Sequence, residues 1–285
     1  MGLPRAEQIV RGCDVVHSID IVPPPTRRPL VVTVHDVLPL TIPEQYEDRQ
    51  RSMIQRQVAL AARHADVVLT TCAATRAAII ENTRIPEDRI VVAPLGHRRA
   101  RSSSAQRLID GPYLLAVGSL TPRKGFHTLI EALARMADMN LPLVIAGPDG
   151  WRADEIRRTV QRVGIAPQIR ILGRVDDETL SGLYEHALAL CHPSTAEGFG
   201  IPVLEAMAFG TPVVAADIPP VREVTGGHAF LVPPDDVDAL VETLSAVVGD
   251  EPTRTSHVDA ARARSQDYTW AAMAERIRAV YETLS

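Results

Sequence analysis

Short apolar runs alternate with longer amphipathic stretches along most of the chain. The runs have the length of buried strands, and the stretches between them repeat apolar residues at helical spacing. This alternation predicts an α/β protein in which parallel strands are joined by helices that cover both faces of the sheet. The predicted strands are 14–17, 30–34, 67–70, 90–92, 113–117, 143–146, 169–172, 188–192, 213–216 and 229–231. The predicted helices are 44–64, 73–83, 125–138, 152–163, 176–186, 202–209, 235–248 and 269–283.

The stretch from residue 96 to residue 110 separates two series of strands. It is rich in arginine and serine and lacks an apolar period, so we interpret it as a linker. Its place predicts two domains, residues 1–106 and residues 107–285. A small basic cluster, Arg98, Arg99 and Arg101 with Arg107, leaves peripheral membrane contact open beside the favoured interpretation of a solvated linker.

Length, composition and charge limit the class of protein. A chain of 285 residues can form two domains, and 46% hydrophobic with 23% charged residues is typical of a soluble globular protein. The net charge of −5 without a basic tract argues against nucleic acid as the main ligand. Three widely spaced cysteines and the lack of an apolar run of membrane-spanning length predict a cytoplasmic location.

The segment 193–217 carries the most specific chemistry. Glu197 and Glu205 stand on either side of a turn with two glycines, and Pro202 suits the first turn of a helix that Gly210 closes. This predicts Glu197 in a loop and Glu205 in the first helical turn. The helix N-terminus offers backbone N–H groups to an anion, and the two acids suit the hydroxyls of a sugar or ribose.

A second candidate segment follows the strand 113–117. Gly118 lets a ligand approach the backbone at the carboxyl end of that strand, where open parallel sheets bind their ligands. Arg123 and Lys124 then supply two cations suited to a diphosphate. Taken alone, the segment is also typical of a solvated helix start.

Together the two segments resemble the retaining glycosyltransferases of the GT-B fold, specifically the large family-4 group, over about residues 14–285. The resemblance implies two Rossmann-like parallel-sheet domains, with the last helix packing back on the first. It also implies that Lys124 holds the donor diphosphate, that Glu197 contacts the transferred sugar and that Glu205 binds the ribose hydroxyls.

The resemblance assigns further residues to the donor. Ser119 stands where many members carry an arginine, so the second cation is expected from Arg123. Val175 ends a turn that lies beside the nucleobase in the family, although a plain turn stays open there. The remaining donor-side residues implied by the family are Gly118, Gly198, Phe199 and Gly200.

Two histidines match the acceptor side of the family. His35 follows a strand and resembles a histidine that faces the cleft, for which we expect a catalytic role. His17, which ends the predicted strand 14–17, resembles another histidine near the cleft and is expected to bind substrate. A structural role stays open for both, because a lone histidine is often a satisfied part of the scaffold.

One departure from the family concerns the N-terminal domain. Family members carry a strand and a glycine-rich loop well before the part matched by Asp14, so the first half of this domain is expected to be incomplete. An incomplete sheet would expose an edge, which leaves self-association open.

The expected function is transfer of a hexose, with mannose favoured, from a nucleoside-diphosphate sugar to a hydroxyl of a glycan, lipid or small molecule. The resemblance implies glycan biosynthesis without a cofactor or a metal, in the cytoplasm or at the inner face of the membrane. The alternative is a nucleotide-sugar-binding remnant or subunit without turnover. A dinucleotide-dependent dehydrogenase is disfavoured, because no Gly-x-Gly-x-x-Gly follows a strand.

Overall fold

The computed structural model describes residues 5–19, 22–97 and 107–285, which form two compact units. The first unit extends to Gly96 and also includes Tyr268–Ser285, and the second extends from His97 to Asp267. The chain therefore returns to its first unit at the C-terminus. Of the basic cluster in the predicted linker, Arg98, Arg99 and Arg101 lie outside the described residues, whereas Arg107 is described.

The secondary structure follows the predicted alternation of strands and helices. The strands are β1 Val16–Ile19, β2 Leu30–Thr33, β3 Val67–Thr70, β4 Ile90–Val92, β5 Leu114–Val117, β6 Leu143–Ala146, β7 Ile169–Gly173, β8 Ala189–His192, β9 Val213–Ala216 and β10 Phe230–Val232. The helices are α1 Ala6–Ile9, α2 Leu38–Thr41, α3 Asp48–His64, α4 Ala73–Asn82, α5 Phe126–Arg135, α6 Ala153–Val163, α7 Asp177–His186, α8 Ile201–Phe209, α9 Pro219–Thr225, α10 Val237–Gly249, α11 Glu251–Thr255, α12 Val258–Ser265 and α13 Trp270–Leu284.

The first unit is built on a parallel sheet in the order β1-β2-β3-β4. Successive side chains of a strand point to opposite faces, so Leu30 and Val32 enter one core and Val31 enters another. The core around Val31 includes side chains of α13, which packs on this sheet through Met273, Ile277, Val280, Tyr281 and Leu284.

The second unit is built on a parallel sheet in the order β10-β9-β8-β5-β6-β7. Its core is formed by buried side chains of β5, β6 and β8 and of the helices α5, α6 and α10. Because β5 and β8 are neighbours with the same direction, the loops after them leave the sheet side by side. That edge is the usual ligand site of an open parallel sheet.

Several boundaries differ from the prediction for identifiable reasons. β1 begins at Val16, the residue at which its pairing with β2 starts, so the predicted strand 14–17 was displaced. The predicted helix 44–64 begins only at Asp48, because Glu47 and Gln50 form a capping box there. The helices α1, α2, α9, α11 and α12 were not predicted.

The described residues also bear on membrane and metal sites. Within 5–19, 22–97 and 107–285, no helix combines the length and apolar character needed to cross a bilayer. In the same ranges, no three His, Cys, Asp or Glu side chains gather closely enough to share a metal ion.

Candidate functional site

The loop after β5 brings a lysine back over the end of its own strand. Gly118 follows β5, and a 3₁₀ turn at Pro122–Lys124 leads towards α5. Gly118 has a φ of +151°, and a Cβ at this position would stand 3.1 Å from Lys124 Cε. The glycine therefore leaves the space in which the Lys124 side chain lies.

A carboxylate from the loop after β8 meets this lysine. Glu197 Oε1 accepts hydrogen bonds from Lys124 Nζ at 2.5 Å and from Ser194 Oγ at 2.6 Å. Arg123 Nη1 donates to Glu197 Oε2 at 3.3 Å and to the carbonyl oxygen of Ala196 at 3.0 Å. The side chains of Lys124 and Glu197 are only 9% and 8% exposed, so the two candidate segments form one buried site.

Opposing effects set the ionisation of the Lys124–Glu197 pair. Burial raises the pKa of Glu197, but the Lys124 ammonium, His192 and Arg123 together outweigh it and hold that pKa well below its usual range. Burial lowers the pKa of Lys124, while the charge of Glu197 opposes the shift. With two cations facing one carboxylate, the site keeps an excess of positive charge, which favours an anionic ligand.

Backbone contacts hold the two loops against each other. The N–H of Thr195 donates to the carbonyl oxygen of Arg123 at 2.9 Å. Gly125, with a φ of +65°, lies so close to the second loop that a Cβ would stand 2.1 Å from the carbonyl oxygen of Pro193. A glycine after Lys124 is therefore required by both the conformation and the contact.

The turn after Glu197 leads into α8, and Glu205 lies further into this helix than predicted. Gly200 precedes Ile201, the first residue of α8. Glu205 is the fifth helical residue, so its predicted place in the first turn was wrong. It is buried and accepts a hydrogen bond from Tyr184 Oη at 3.1 Å.

Sequence reasoning missed His192 and Ser194, which also face the Glu197 carboxylate. His192 Nε2 stands 3.0 Å from Glu197 Oε1, although within 5–19, 22–97 and 107–285 this nitrogen has no aligned hydrogen-bond partner. A polar residue at the end of an otherwise apolar strand was the available signal for His192. The serine follows Pro193, where nothing in the local pattern distinguishes it from a turn residue.

The other predicted donor-side residues surround the site or lie along its edge. Phe199 is buried, and Gly198 and Ser119 are half-buried. Val175 follows the edge strand β7, which lies two positions from β5 in the sheet, or about 10 Å at the usual strand spacing. Contact of these residues with a donor stays a prediction.

The two acceptor-side histidines lie in the first unit. β1 continues to Ile19, so the prediction that His17 ends a strand was wrong. The ring nitrogens of His17 lie 2.5 Å from Tyr281 Oη and 2.7 Å from Thr33 Oγ1, which favours the structural alternative for this residue. Burial lowers its pKa, and His35 lowers it further. His35 follows β2 and is half-buried, and its catalytic role stays a prediction.

Family profiles compare the sequence of this chain with the sequences of known proteins. The profile of the Glycosyl transferases group 1 matches residues 100–264, more than half of the chain, and that of Glycosyltransferase Family 4 matches residues 2–101. The chain belongs to the family-4, group 1 glycosyltransferases. The matched range 100–264 contains the whole Lys124–Glu197 site.

Relatives of this glycosyltransferase chain include two bacterial mannosyltransferases. The O-antigen chain mannosyltransferase B of Escherichia coli is 32% identical over 84% of the chain, which spans 66% of that relative. The phosphatidyl-myo-inositol mannosyltransferase of Mycolicibacterium smegmatis is 37% identical over 58% of the chain, which spans 43% of that relative. The chain thus spans about half to two thirds of the length of these relatives.

Solved structures give the fold. HepE of Anabaena, in complex with UDP and glucose, superposes with a TM-score of 0.78 at 22% identity, covering 97% of this chain and 79% of HepE. A sucrose-phosphate synthase of Thermosynechococcus elongatus gives a TM-score of 0.77 at 23% identity, covering 98% of this chain and 75% of the synthase. The predicted α/β fold of GT-B type, with two parallel-sheet domains, is confirmed.

Proposed function

We propose that this chain is a retaining hexosyltransferase that uses a nucleoside-diphosphate sugar as donor. The observation that carries the proposal is the buried Lys124–Glu197 pair with Arg123 beside it. It lies after the neighbouring strands β5 and β8, at the edge where open parallel sheets bind their ligands. A buried group of charges at such an edge is typical of a binding or catalytic site.

Mannose is the hexose best supported by the relatives. Two of them are named mannosyltransferases, whereas HepE was solved with UDP and glucose. GDP-mannose is therefore the first donor to test, with UDP-glucose as the comparison. The acceptor is a hydroxyl of a glycan, lipid or small molecule.

Two cations and a helix N-terminus neutralise the leaving diphosphate in this proposal. Lys124 supplies a compact ammonium and Arg123 a planar guanidinium. The first N–H groups of α8 follow the loop that holds Glu197, and such groups bind anions. Positive groups that are fixed before the reaction lower the free energy of the charge that develops on the diphosphate.

Acidic side chains hold the hydroxyls in this proposal. Glu197 contacts the transferred sugar, and Glu205 binds the ribose of the nucleotide. Their carboxylates accept the hydrogen bonds that hydroxyls donate. His35, in the first unit, acts on the acceptor side. Each of these roles is carried over from the family position that the residue resembles.

The reaction itself exchanges one bond at the anomeric carbon of the sugar. The bond to the diphosphate oxygen breaks, and its electron pair stays on the diphosphate. The acceptor oxygen bonds to the same carbon, and its proton passes to the released diphosphate, with the anomeric configuration kept. The proposal includes no metal ion and no cofactor, so excess EDTA should leave the rate unchanged.

Binding without turnover is the second candidate function. It is favoured by the placement of Lys124, Arg123 and Glu197, which all lie in the second unit, so that a diphosphate site can form without residues of the first unit. A protein of this kind would bind a nucleotide sugar and neither hydrolyse nor transfer it.

A donor assay with matched variants separates the two functions. The protein is incubated with GDP-mannose or UDP-glucose, and release of the nucleoside diphosphate is measured with and without added sugar acceptors. We expect turnover that falls by about 100-fold or more in Glu197→Gln, a loss typical of a preorganised electrostatic group. The control Glu155→Gln changes a half-buried carboxylate that pairs with Arg152 outside the Lys124–Glu197 site, and it should keep the rate. Donor binding without any release would favour the second function, and an unchanged rate in Glu197→Gln would contradict the role of Glu197.

A further inference from the structure

His192 is a buried histidine of the Lys124–Glu197 site that has no task in the proposed reaction. It ends β8, and its side chain is 3% exposed. Its Nε2 stands 3.0 Å from Glu197 Oε1 but has no aligned hydrogen-bond partner among the described residues. A buried nitrogen in this state has lost water without gaining a hydrogen bond, which costs free energy and calls for an explanation.

The explanation lies in the number of donors around one oxygen. Glu197 Oε1 already accepts from Lys124 Nζ at 2.5 Å and from Ser194 Oγ at 2.6 Å. A carboxylate oxygen offers two lone pairs, and these two shorter contacts use both. The third neighbour, His192 Nε2, is close enough to donate but finds no lone pair in line.

We propose that His192 is a positioning residue that replaces Lys124 at Glu197 Oε1 when a diphosphate binds. This inference rests on the proposed function, in which the Lys124 ammonium turns towards the diphosphate. That movement frees a lone pair on Oε1, and the imidazole N–H donates to it. No proton is transferred: the histidine stays neutral and the carboxylate stays ionised.

The charges around His192 agree with a neutral donor. Burial lowers its pKa, Glu197 opposes this shift, and Lys124 and Arg123 lower the pKa further. A neutral imidazole donates through one nitrogen, and donation to Glu197 requires the tautomer with the proton on Nε2. By donating a hydrogen bond to the Glu197 carboxylate, His192 reduces the free energy that is needed to release Lys124 to the ligand.

Two substitutions at this position separate donation from packing. His192→Leu removes the N–H and keeps an apolar side chain in the buried space, whereas His192→Gln keeps an N–H at a similar reach. Affinities of the wild type and both variants are measured by calorimetry for GDP, UDP, ADP and dTDP. We expect His192→Leu to bind the preferred diphosphate about tenfold or more weakly, as for one hydrogen bond to a charged group. His192→Gln should stay within about threefold of the wild type, a change of under 1 kcal/mol.

A second measurement on the wild type does not depend on how His192→Leu folds. The imidazole N–H proton of His192 is identified in the NMR spectrum by its absence from His192→Gln. On addition of the diphosphate, we expect this signal to move downfield as the hydrogen bond to the carboxylate forms.

The outcomes distinguish the inference from the function on which it rests. Equal affinity of His192→Leu and the wild type, or an N–H signal that does not move, overturns the positioning role and leaves the proposed function standing. A change in thermal stability alone, the same in both variants, shows a packing role and overturns it too. A wild type that binds none of the four nucleotides overturns both.

Discussion

Lys124 is the only lysine among the 30 Lys and Arg residues of the chain. Its side chain is more buried than that of Arg123, the other cation of the site. An ammonium is compact and can place its three donors in any direction, whereas a guanidinium is wide and planar. The space beside Gly118 fits the lysine stem, with a Cβ at Gly118 already 3.1 Å from Cε. The residue type at 124 therefore follows from the geometry of the site, and an arginine would not be a conservative replacement.

The Lys124–Glu197 pair should show strong coupling in the free energy of unfolding. Lys124→Met or Glu197→Gln alone leaves a buried charge without its main partner, which we expect to cost about 3–5 kcal/mol. The double variant Lys124→Met/Glu197→Gln removes both charges, so its loss should be clearly smaller than the sum. Denaturant unfolding of the four proteins measures this, and additive losses would show that the pair is not coupled.

The stability of the site should also depend on acid. The folded-state pKa of Glu197 lies below the ordinary value of 4.5, so the ionised carboxylate stabilises the folded protein above that pH. This contribution is lost as the pH falls through the folded-state pKa. The difference in unfolding free energy between the wild type and Glu197→Gln should thus be constant above pH 4.5 and shrink below it. A difference that stays constant throughout the acid range would place the carboxyl pKa near its ordinary value.

At the scale of elements, the site depends on how α5 starts against the loop after β8. Gly125 stands between the 3₁₀ turn that carries Lys124 and the first residue of α5. The close approach of Gly125 to the carbonyl oxygen of Pro193 sets the distance between the loop that carries Lys124 and the loop that carries Glu197. Because Glu197 is only four residues beyond Pro193, a shift of this contact moves the carboxylate relative to the lysine.

Two glycine substitutions separate this contact from backbone strain. Gly125→Ala and Gly164→Ala both place a side chain at positive φ, +65° and +77°. The first meets another loop, at 2.1 Å from the carbonyl oxygen of Pro193, whereas no atom in the described part of the chain lies within 4 Å of a Cβ at position 164. We expect Gly164→Ala to cost about 1 kcal/mol from strain alone, and Gly125→Ala to cost more and weaken diphosphate binding. Equal losses in thermal unfolding would mean that the close approach has no role.

The elements that could be predicted from the sequence are those with a strong apolar period. β3, β4, β6 and β9 were predicted at their observed bounds, because each is a compact buried run. The unpredicted α9 begins with two prolines, and α11 is short and polar, so neither carries a helical apolar period. These helices form because neighbouring elements support them.

The residues of the candidate site also divide into those that the sequence predicted and those that it did not. Lys124 and Glu197 stand in recognisable segments, and the structure places Lys124 Nζ 2.5 Å from Glu197 Oε1. His192 and Ser194 were missed, because their importance comes from the conformation of the loop after β8, which brings both side chains to a single carboxylate oxygen of Glu197. Glu205 was assigned to the first helical turn although it is the fifth residue of α8, because the helix begins one residue earlier than predicted.

For the whole molecule, the chain path assigns α13 to the first unit, although it follows the second in sequence. A hydrogen-bonded histidine helps hold it there, since His17 lies between Thr33 of β2 and Tyr281 of α13. In the second unit, the hydrogen bond that Tyr184 of α7 donates to Glu205 of α8 links two helices in a comparable way. Each unit therefore has its own tyrosine contact, half-buried at Tyr281 and buried at Tyr184.

Matched tyrosine substitutions should affect the two units separately. Tyr281→Phe removes the hydroxyl that faces His17, and Tyr184→Phe removes the one that faces Glu205, each at an expected cost of about 1 kcal/mol. We expect hydrogen exchange to accelerate in β1, β2 and α13 for the first variant, and in α7 and α8 for the second. Acceleration spread equally over both units in either variant would show that they open as one.

Diphosphate binding to a Lys124 variant tests the central claim most directly. The affinities of GDP, UDP, ADP and dTDP are measured by calorimetry for the wild type, for Lys124→Met and for the control Arg158→Met, which removes a cation that is 74% exposed. The site predicts that Lys124→Met weakens binding of the preferred diphosphate by about 10- to 100-fold, as for a lost charge-assisted hydrogen bond, while the control keeps wild-type affinity. A folded Lys124→Met protein that binds the diphosphate as tightly as the wild type would contradict it.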